Sequence, residues 1–452
     1  MGITDPSLEL RGHLDQPQDR ETTFCRIEIV GWAIPPERID RIEAIIDDKV
    51  VTRLKVGTET RPEVAIAYPS VPNAENGGFR ASIPIGDVEG VHNLTVRAIT
   101  YDNNSLVIGE RSIVNSRSII DQPPPLYHIG LITHCNLHCR MCPAHSVNSK
   151  FDSTGCTIEG PLLETCLDGL KEYSSSVTHV CLGDYGESLL YKEIFNVISR
   201  VHQICPDVSI YFATNGTLLS KDMIESILDS SLTFIDISLD ASTKETYEKI
   251  RKGADFNKVL DNIRMLVKIR NMRKKTRPAI ITSFVLMKSN INELPDFTKL
   301  CVELGVDQIL TVNPLGIFEA DKNETLYYLP GGRIDANKEK YERIIDEASS
   351  IALKAKIHFI NPTLNPTEPR LNCSENGRTR PYIAASGDVY PCCVLAGVGS
   401  EKGTIEKPIG NMKNNRLKEI WESDSYRRFR EAFFRGELPS PICTRCPHYY
   451  NM

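Results

Sequence analysis

Apolar and polar residues alternate one by one in the first quarter of the chain. Cys25/Ile27/Ile29, Phe79/Ala81/Ile83/Ile85 and Leu94/Val96/Ala98 each place every second residue on one face, the period of a half-buried strand. Turn-forming clusters separate these runs at Asp47-Asp48-Lys49, Asn76-Gly77-Gly78 and Asp102-Asn103-Asn104-Ser105. Short strands with turns every ten or so residues predict a β-sandwich over residues 1–115. Pro123-Pro124-Pro125 can join neither a helix nor a central strand, which marks 116–126 as a linker.

From Tyr127 to about residue 360 the period changes. Short β-type runs at 127–133, 178–183, 207–213, 232–238, 279–287 and 307–312 alternate with amphipathic stretches. The best of these, 256–272, carries Val259, Leu260, Ile263, Leu266 and Val267 on one helical face. Ser242-Thr243-Lys244-Glu245 reads as a capping box for the helix before it. Six β/α units in series predict a parallel sheet. Ligand chemistry in such folds sits at the C-terminal ends of the strands.

Composition narrows the function classes. The chain has 452 residues, enough for two or three domains, with 41% hydrophobic and 25% charged residues, ordinary for a globular protein. A formal charge of −6 gives no sign of nucleic-acid binding, and the basic run Arg270 to Lys275 reads as a solvated helix end. No apolar stretch is long enough to span a membrane and no signal-peptide pattern opens the chain, so a cytoplasmic location is expected. The 14 cysteines then point to metal ligation over disulfides.

Three of them stand close together as C-x3-C-x2-C: Cys135, Cys139 and Cys142, in Thr133-His134-Cys135-Asn136-Leu137-His138-Cys139-Arg140-Met141-Cys142-Pro143. Three thiolates on one loop can hold three irons of a 4Fe–4S cubane, leaving the fourth iron open to a small molecule. A zinc knuckle would need a fourth ligand, and His134, His138 and His145 keep that reading open. The spacing resembles the signature of the radical S-adenosylmethionine (radical SAM) enzymes. That resemblance implies a partial (β/α)6 barrel over 127–360. It also implies a catalytic 4Fe–4S cluster that binds S-adenosyl-L-methionine (SAM), and cleavage of SAM to a 5′-deoxyadenosyl radical that abstracts hydrogen from a substrate.

Further segments extend the resemblance. Gly183-Asp184-Tyr185-Gly186-Glu187-Ser188 resembles the family's Gly-Gly-Glu segment, which implies that Tyr185, Gly186 and Glu187 bind SAM. It departs from the usual pattern at Asp184 and Ser188. Asn215 in Thr214-Asn215-Gly216-Thr217, Ser238 at the end of the fourth strand, Arg251 in the following helix region and Met141 in the cluster loop are similarly implied as SAM contacts. Taken as isolated residues, these are turn positions, an exposed arginine and a core methionine.

Five more cysteines lie in residues 361–452. Gly387-Asp388-Val389-Tyr390-Pro391-Cys392 reads as a hairpin delivering a cysteine, and Cys443-Thr444-Arg445-Cys446 is a C-x2-C pair. This region resembles the SPASM or shortened twitch extension of radical SAM enzymes. The resemblance implies an auxiliary 4Fe–4S cluster on Cys373, Cys392, Cys443 and Cys446, with Cys393 as the alternative to Cys392. A four-cysteine zinc site is the competing reading. Spare thiols able to quench a substrate radical are Cys393, Cys181 and Cys301. Cys25, Cys156, Cys166 and Cys205 read as packing or surface residues.

The first domain adds Gly31-Trp32-Ala33, Arg61-Pro62-Glu63-Val64 and Gly78-Phe79, which resemble an immunoglobulin-like module of the kind attached to polysaccharide-pathway transferases. Its expected role is carbohydrate recognition or docking, or simply oligomerisation. Together these features lead to the expectation of a radical SAM enzyme acting at a carbinol carbon of a sugar, aminocyclitol or nucleotide-sugar, by dehydrogenation, epimerisation or dehydration. Reduced ferredoxin or flavodoxin would donate electrons. The rivals are modification of a ribosomally made peptide and a zinc-stapled, non-enzymatic carbohydrate-binding protein.

Overall fold

The computed structural model describes residues 9–145, 155–183, 185–315, 323–326, 337–362, 364, 373, 377–397 and 407–450. The chain forms two units, one built from residues up to Gln122 together with Arg427–Pro439, the other from most of the remainder.

The first unit is a two-sheet sandwich. One sheet is three-stranded, with Cys25–Ile34 between Arg11–Gln16 and Gly78–Gly86. The other is five-stranded, in the order Glu21–Thr23, Ser105–Asn115, Gly90–Thr100, Ile39–Ile46, Lys49–Leu54. The alternating positions meet in one core: Ile27, Ile29, Phe79 and Ile83 from the first sheet, Ile42, Ala44, Leu94 and Val96 from the second. Asp47 and Asp48 both adopt left-handed backbone, with φ 45 and 66°. That is the geometry of a tight hairpin turn, and Asp tolerates it.

The stretch expected to be a linker is folded as far as Asp121. Ser116 caps a 3-10 turn over Arg117–Asp121 by accepting from Ser118 N. Ile120 is buried with Phe24, Cys25 and Phe434, and Arg430 Nε donates to its carbonyl at 2.7 Å. An apolar side chain with a ready niche thus overrides the linker composition around it.

The second unit is organised by one ten-stranded sheet. Among the described residues eight strands run parallel, the first seven in the order His358–Ile360, Gln308–Val312, Ala279–Val285, Phe234–Ser238, Ser209–Thr214, His179–Leu182, Leu126–Ile129. The strand His358–Ile360 is a seventh beyond the six expected; three residues are too few to show a period. Helices join successive strands, including Gly160–Glu172, Ile194–Ile204, Lys221–Asp229, Phe256–Met272 and Leu294–Leu304. This is the partial barrel expected from the sequence. Past Leu126–Ile129 the sheet continues into Tyr382–Ile383, which pairs parallel to it, and then into Asp388–Tyr390 and Gly410–Asn411, which pair antiparallel. The C-terminal region therefore grows directly out of the barrel sheet.

The capping box at Ser242 is replaced by a longer connection. Thr243 is the N-cap of helix Lys244–Ile250. The Glu293 carboxylate, from a later loop, accepts from Ser242 N at 2.8 Å, Thr243 N at 3.0 Å and Thr243 Oγ1 at 2.9 Å. No helix among the described residues is long and apolar enough to cross a membrane.

Candidate active site

A cavity of about 440 Å³ opens at the C-terminal ends of the parallel strands, and Cys135, Cys139 and Cys142 all line it. The loop carrying them is pinned by backbone. His138–Cys139 pairs antiparallel with Arg251–Lys252, which sets Cys139 opposite Arg251. Arg140 N donates to Ile250 O at 2.8 Å, and the Arg140 guanidinium pairs with the buried Glu324 at 2.8 Å.

Burial pushes the Cys142 thiol up to about 11; the Ala144 N–H pulls it back, and Cys139 and Cys135 push it further up. Burial likewise raises Cys135 and Cys139. Three thiols that oppose one another's ionisation on one loop suit a cationic metal cluster, which ligates the deprotonated forms together. Two donors already point at the sulfurs: Leu137 N lies 3.4 Å and Asn215 Nδ2 3.8 Å from Cys135 Sγ. Arg251 Nη1 lies 3.8 Å from Cys139 Sγ.

Arg251 is itself held. Asp240 accepts from its Nε at 2.7 Å and lies 2.6 Å from its Nη2, both side chains buried. Asp240 sits in left-handed backbone with φ 51°, fixed by Val285 N donating to its Oδ1 and Asn290 Nδ2 donating to its carbonyl. Burial works against the Arg251 charge, and Asp240, Cys139 and Tyr247 outweigh it, so the guanidinium stays firmly protonated.

Glu187 is buried, and burial raises its carboxyl above the ordinary range. It accepts from Thr214 Oγ1 at 2.6 Å, Asn215 N at 2.8 Å and Leu189 N at 3.1 Å. The carboxylate therefore ties the second and third strand ends together as well as facing the cavity. Gly186 allows this: a Cβ there would fall 2.4 Å from Ile132 O and 2.6 Å from His134 O, so only glycine lets the two backbones touch. Asn215 Nδ2 donates to Asn136 Oδ1 at 2.9 Å, joining the third strand end to the cysteine loop. Met141, Tyr185 and Ser238 also face the cavity. Asp184 and the side chain of His145 lie outside the described residues.

The spare thiols separate clearly. Cys393 lines the cavity, its carbonyl accepting from Tyr185 Oη at 2.8 Å. Cys181 lies on strand His179–Leu182 beside Tyr211, deeper in the barrel, and is not among the lining residues. Cys301 is a correction. It is fully buried on helix Leu294–Leu304, 3.3 Å from Thr282 Oγ1, and packs on the sheet's helix-covered side, away from the cavity. Lining residues that the sequence reading missed include His128, Asn313, Tyr382 and His448. The signal for His128 was a lone polar residue in an apolar strand. Its Nε2 lies 2.8 Å from Gly183 O.

Cys373, Cys443 and Cys446 lie within electrostatic reach of Cys392. Burial drives the Cys392 thiol well up, and Cys373, Cys443 and Cys446 all act on it. Its neighbour Cys393 lines the cavity.

Residues 129–301 match the family model of the Radical SAM superfamily, and residues 373–447 match that of the SPASM iron-sulfur cluster-binding domain. The second match sets aside the zinc reading of the quartet. The chain is similar to the "tungsten-containing aldehyde ferredoxin oxidoreductase cofactor-modifying protein" of Pyrococcus furiosus, 24% identical over 71% of this chain and 86% of the relative. It is also similar to the AdoMet-dependent heme synthase of Methanosarcina barkeri, 24% identical over 68% and 85%. Streptococcus suis SuiB, solved with precursor peptide SuiA, shares the fold with a TM-score of 0.52 at 16% identity, over 73% of this chain and 71% of that one.

Proposed function

Because this chain carries a Radical SAM domain followed by a SPASM domain, whose cofactors are a SAM-binding 4Fe–4S cluster and an auxiliary cluster, we propose that it oxidises a carbinol carbon of a sugar, aminocyclitol or nucleotide-sugar. When bound, the first cluster and SAM supply an organic radical that takes a hydrogen atom from the substrate. Cys135, Cys139 and Cys142 would hold that cluster. Glu187, Asn215, Ser238, Arg251, Gly186, Tyr185 and Met141 orient SAM, with Arg251 meeting a carboxylate. Cys373, Cys392, Cys443 and Cys446 would hold the auxiliary cluster, which would supply an electron acceptor.

The observation that carries this reading is the adjacency of Cys392 and Cys393. Cys392 feels the charges of Cys373, Cys443 and Cys446 while Cys393 lines the cavity, so a cluster held by those four would stand one residue from the reaction space. The hydrogen-bonding side chains of His128, Asn313 and His448 on that wall suit a small hydroxyl-bearing substrate. The relatives' own substrates, as their names give them, differ from one another and do not narrow the choice. Peptide modification is the competing reading, and SuiB's likeness to this chain is one of fold.

The test is anaerobic incubation of the reconstituted enzyme with SAM, dithionite and either perdeuterated myo-inositol or perdeuterated glucose. Deuterium in 5′-deoxyadenosine and a ketone product are expected. No transfer from either polyol sinks the carbinol reading. Iron analysis complements it: about eight irons per chain, falling to about four when Cys135, Cys139 and Cys142 are replaced by Ala.

A further inference from the structure

Arg251 caps the C-terminus of helix Lys244–Ile250 and opens the short strand that pairs with the cysteine loop. Backbone register alone therefore sets it opposite Cys139. Arg251 is buried and Asp240 is fully enclosed. Nε donates to Asp240 Oδ2 at 2.7 Å, and Nη2 lies 2.6 Å from the same oxygen. One edge of the guanidinium is thus occupied by Asp240. The remaining nitrogen, Nη1, stands 3.8 Å from Cys139 Sγ. The group is planar and rigid, so fixing one edge aims the other.

Asp240 is fixed in turn by the loop that follows the next strand. Val285 N donates to its Oδ1 at 2.7 Å, and Asn290 Nδ2 donates to its carbonyl at 2.9 Å. Asn290 is also buried. Its Nδ2 donates to Val285 O at 2.9 Å, and its Oδ1 accepts from Met287 N at 2.9 Å. A chain of buried groups runs from Asn290 through Asp240 and Arg251 to a sulfur of the cysteine triplet. The loop's own arginine is used differently. Arg140 follows Cys139 directly, yet its side chain is half exposed and pairs with Glu324. Nearness in sequence does not aim a charge at the sulfurs; the anchored guanidinium does.

The orientation has an electrostatic sense. The ion pair is neutral as a unit, with its positive end toward Cys139 and its negative end away from it. An iron-sulfur cluster gains negative charge when reduced, and its potential follows local charge, hydrogen bonds to its sulfurs and exposure. A cation this close among buried groups acts through its charge with little screening.

We propose that Arg251 raises the reduction potential of the SAM-binding cluster through Cys139, and that Asp240 and Asn290 are the positioning residues that aim it. The inference rests on the assignment of that cluster to Cys135, Cys139 and Cys142. The step it favours is transfer of one electron from a low-potential donor to the cluster, the donor being oxidised by one electron. The role is separate from contact with SAM, because it operates before SAM binds. A guanidinium carries five N–H groups, so others are left for a carboxylate.

The test uses the anaerobically reconstituted holoenzyme without SAM, so that a lost SAM contact cannot register. Subtracting the signal of the Cys135/Cys139/Cys142→Ala variant removes the auxiliary cluster. With ¹⁵N only in arginine guanidinium groups, pulsed electron paramagnetic resonance of the dithionite-reduced native protein should show a ¹⁵N coupling that Arg251→Lys abolishes. The double variant Asp240→Asn/Arg251→Gln drops both charges and keeps hydrogen-bonding groups in place. Its ratio of reduced to oxidised catalytic cluster at a fixed potential should fall about tenfold. Arg251→Lys keeps the charge and should fall less. An unchanged ratio in the double variant overturns the proposal. So does the absence of the coupling from the native protein, whether or not a variant holds its iron. A triple Cys→Ala variant that keeps the native iron content overturns the cluster assignment, and this role with it. A loss of about four irons with no coupling removes the role of Arg251 alone.

Discussion

Glu43 in the sandwich and Asp236 in the barrel are carboxyls on inner strands of their sheets, Glu43 buried and Asp236 half-buried with its Oδ1 shielded. Glu43 is ringed by Arg41 at 2.9 Å, Arg53 at 3.0 Å and Arg97 at 2.8 Å. The hydrogen bonds from Arg41 and then Arg97 hold its carboxyl down to about 2 against the effect of burial. Asp236 has a serine and a more distant arginine, and burial carries it up to about 6. One site supplies every partner a carboxylate can use, and the charge becomes part of the scaffold. The other withholds partners, and the proton becomes exchangeable. The barrel makes the contrast within itself too, since Asp240 is matched to Arg251 as fully as Glu43 is to its arginines.

The sharpest way to break the comparison is to remove one member of the matched barrel pair. Asp240→Ala leaves the Arg251 guanidinium buried and uncompensated, which should cost about 3–5 kcal/mol, read by chemical denaturation. Next is Asp236→Asn, compared with the native protein at two pH values. Its folded carboxyl is raised, so its contribution to stability is present below the unfolded value near 4 and lost as pH rises through about 6. The variant should therefore match the native protein at pH 4 and exceed it by about 3 kcal/mol at pH 8. An unchanged difference across that range would mean that Asp236 does not titrate as a buried acid. The smallest effect is expected at Glu43→Gln. Its arginines are partly exposed and water screens them, so a loss of about 1 kcal/mol is expected at pH 7. The sign is opposite: the depressed carboxyl stabilises above its unfolded value near 4.5, and that advantage disappears as pH falls toward 2.

What the sequence made legible was local. The three cysteines of the loop fall within eight residues, so their spacing alone brings them together. The helix Phe256–Met272 was read to its ends, because Asp255 caps it by accepting from Lys258 N within one turn. The SAM-binding expectations at Glu187, Asn215, Ser238 and Arg251 rested on short segments that follow individual strands, and all four residues line the cavity. What escaped was set by tertiary contact. Glu293 caps a helix some 50 residues earlier. Cys301 sits on a helix whose buried face has no mark distinguishing it from a cavity wall. Cys392 and Cys393 are chemically identical, and only the hairpin Tyr382–Tyr390 decides which way each one faces. Asp236 reads as an ordinary polar position in an alternating strand, and no local pattern marks the tertiary burial that raises its carboxyl.

The pairing of Tyr382–Ile383 with Leu126–Ile129 is made by main-chain groups, with Gly130 N donating to Ile383 O at 2.7 Å and His128 N to Pro381 O at 3.3 Å. Backbone ladders are indifferent to the side chains they carry. The spacing between Cys392 and the cavity wall is thus fixed by main chain. Substitutions along the wall can retune which molecules enter, while that spacing stays the same.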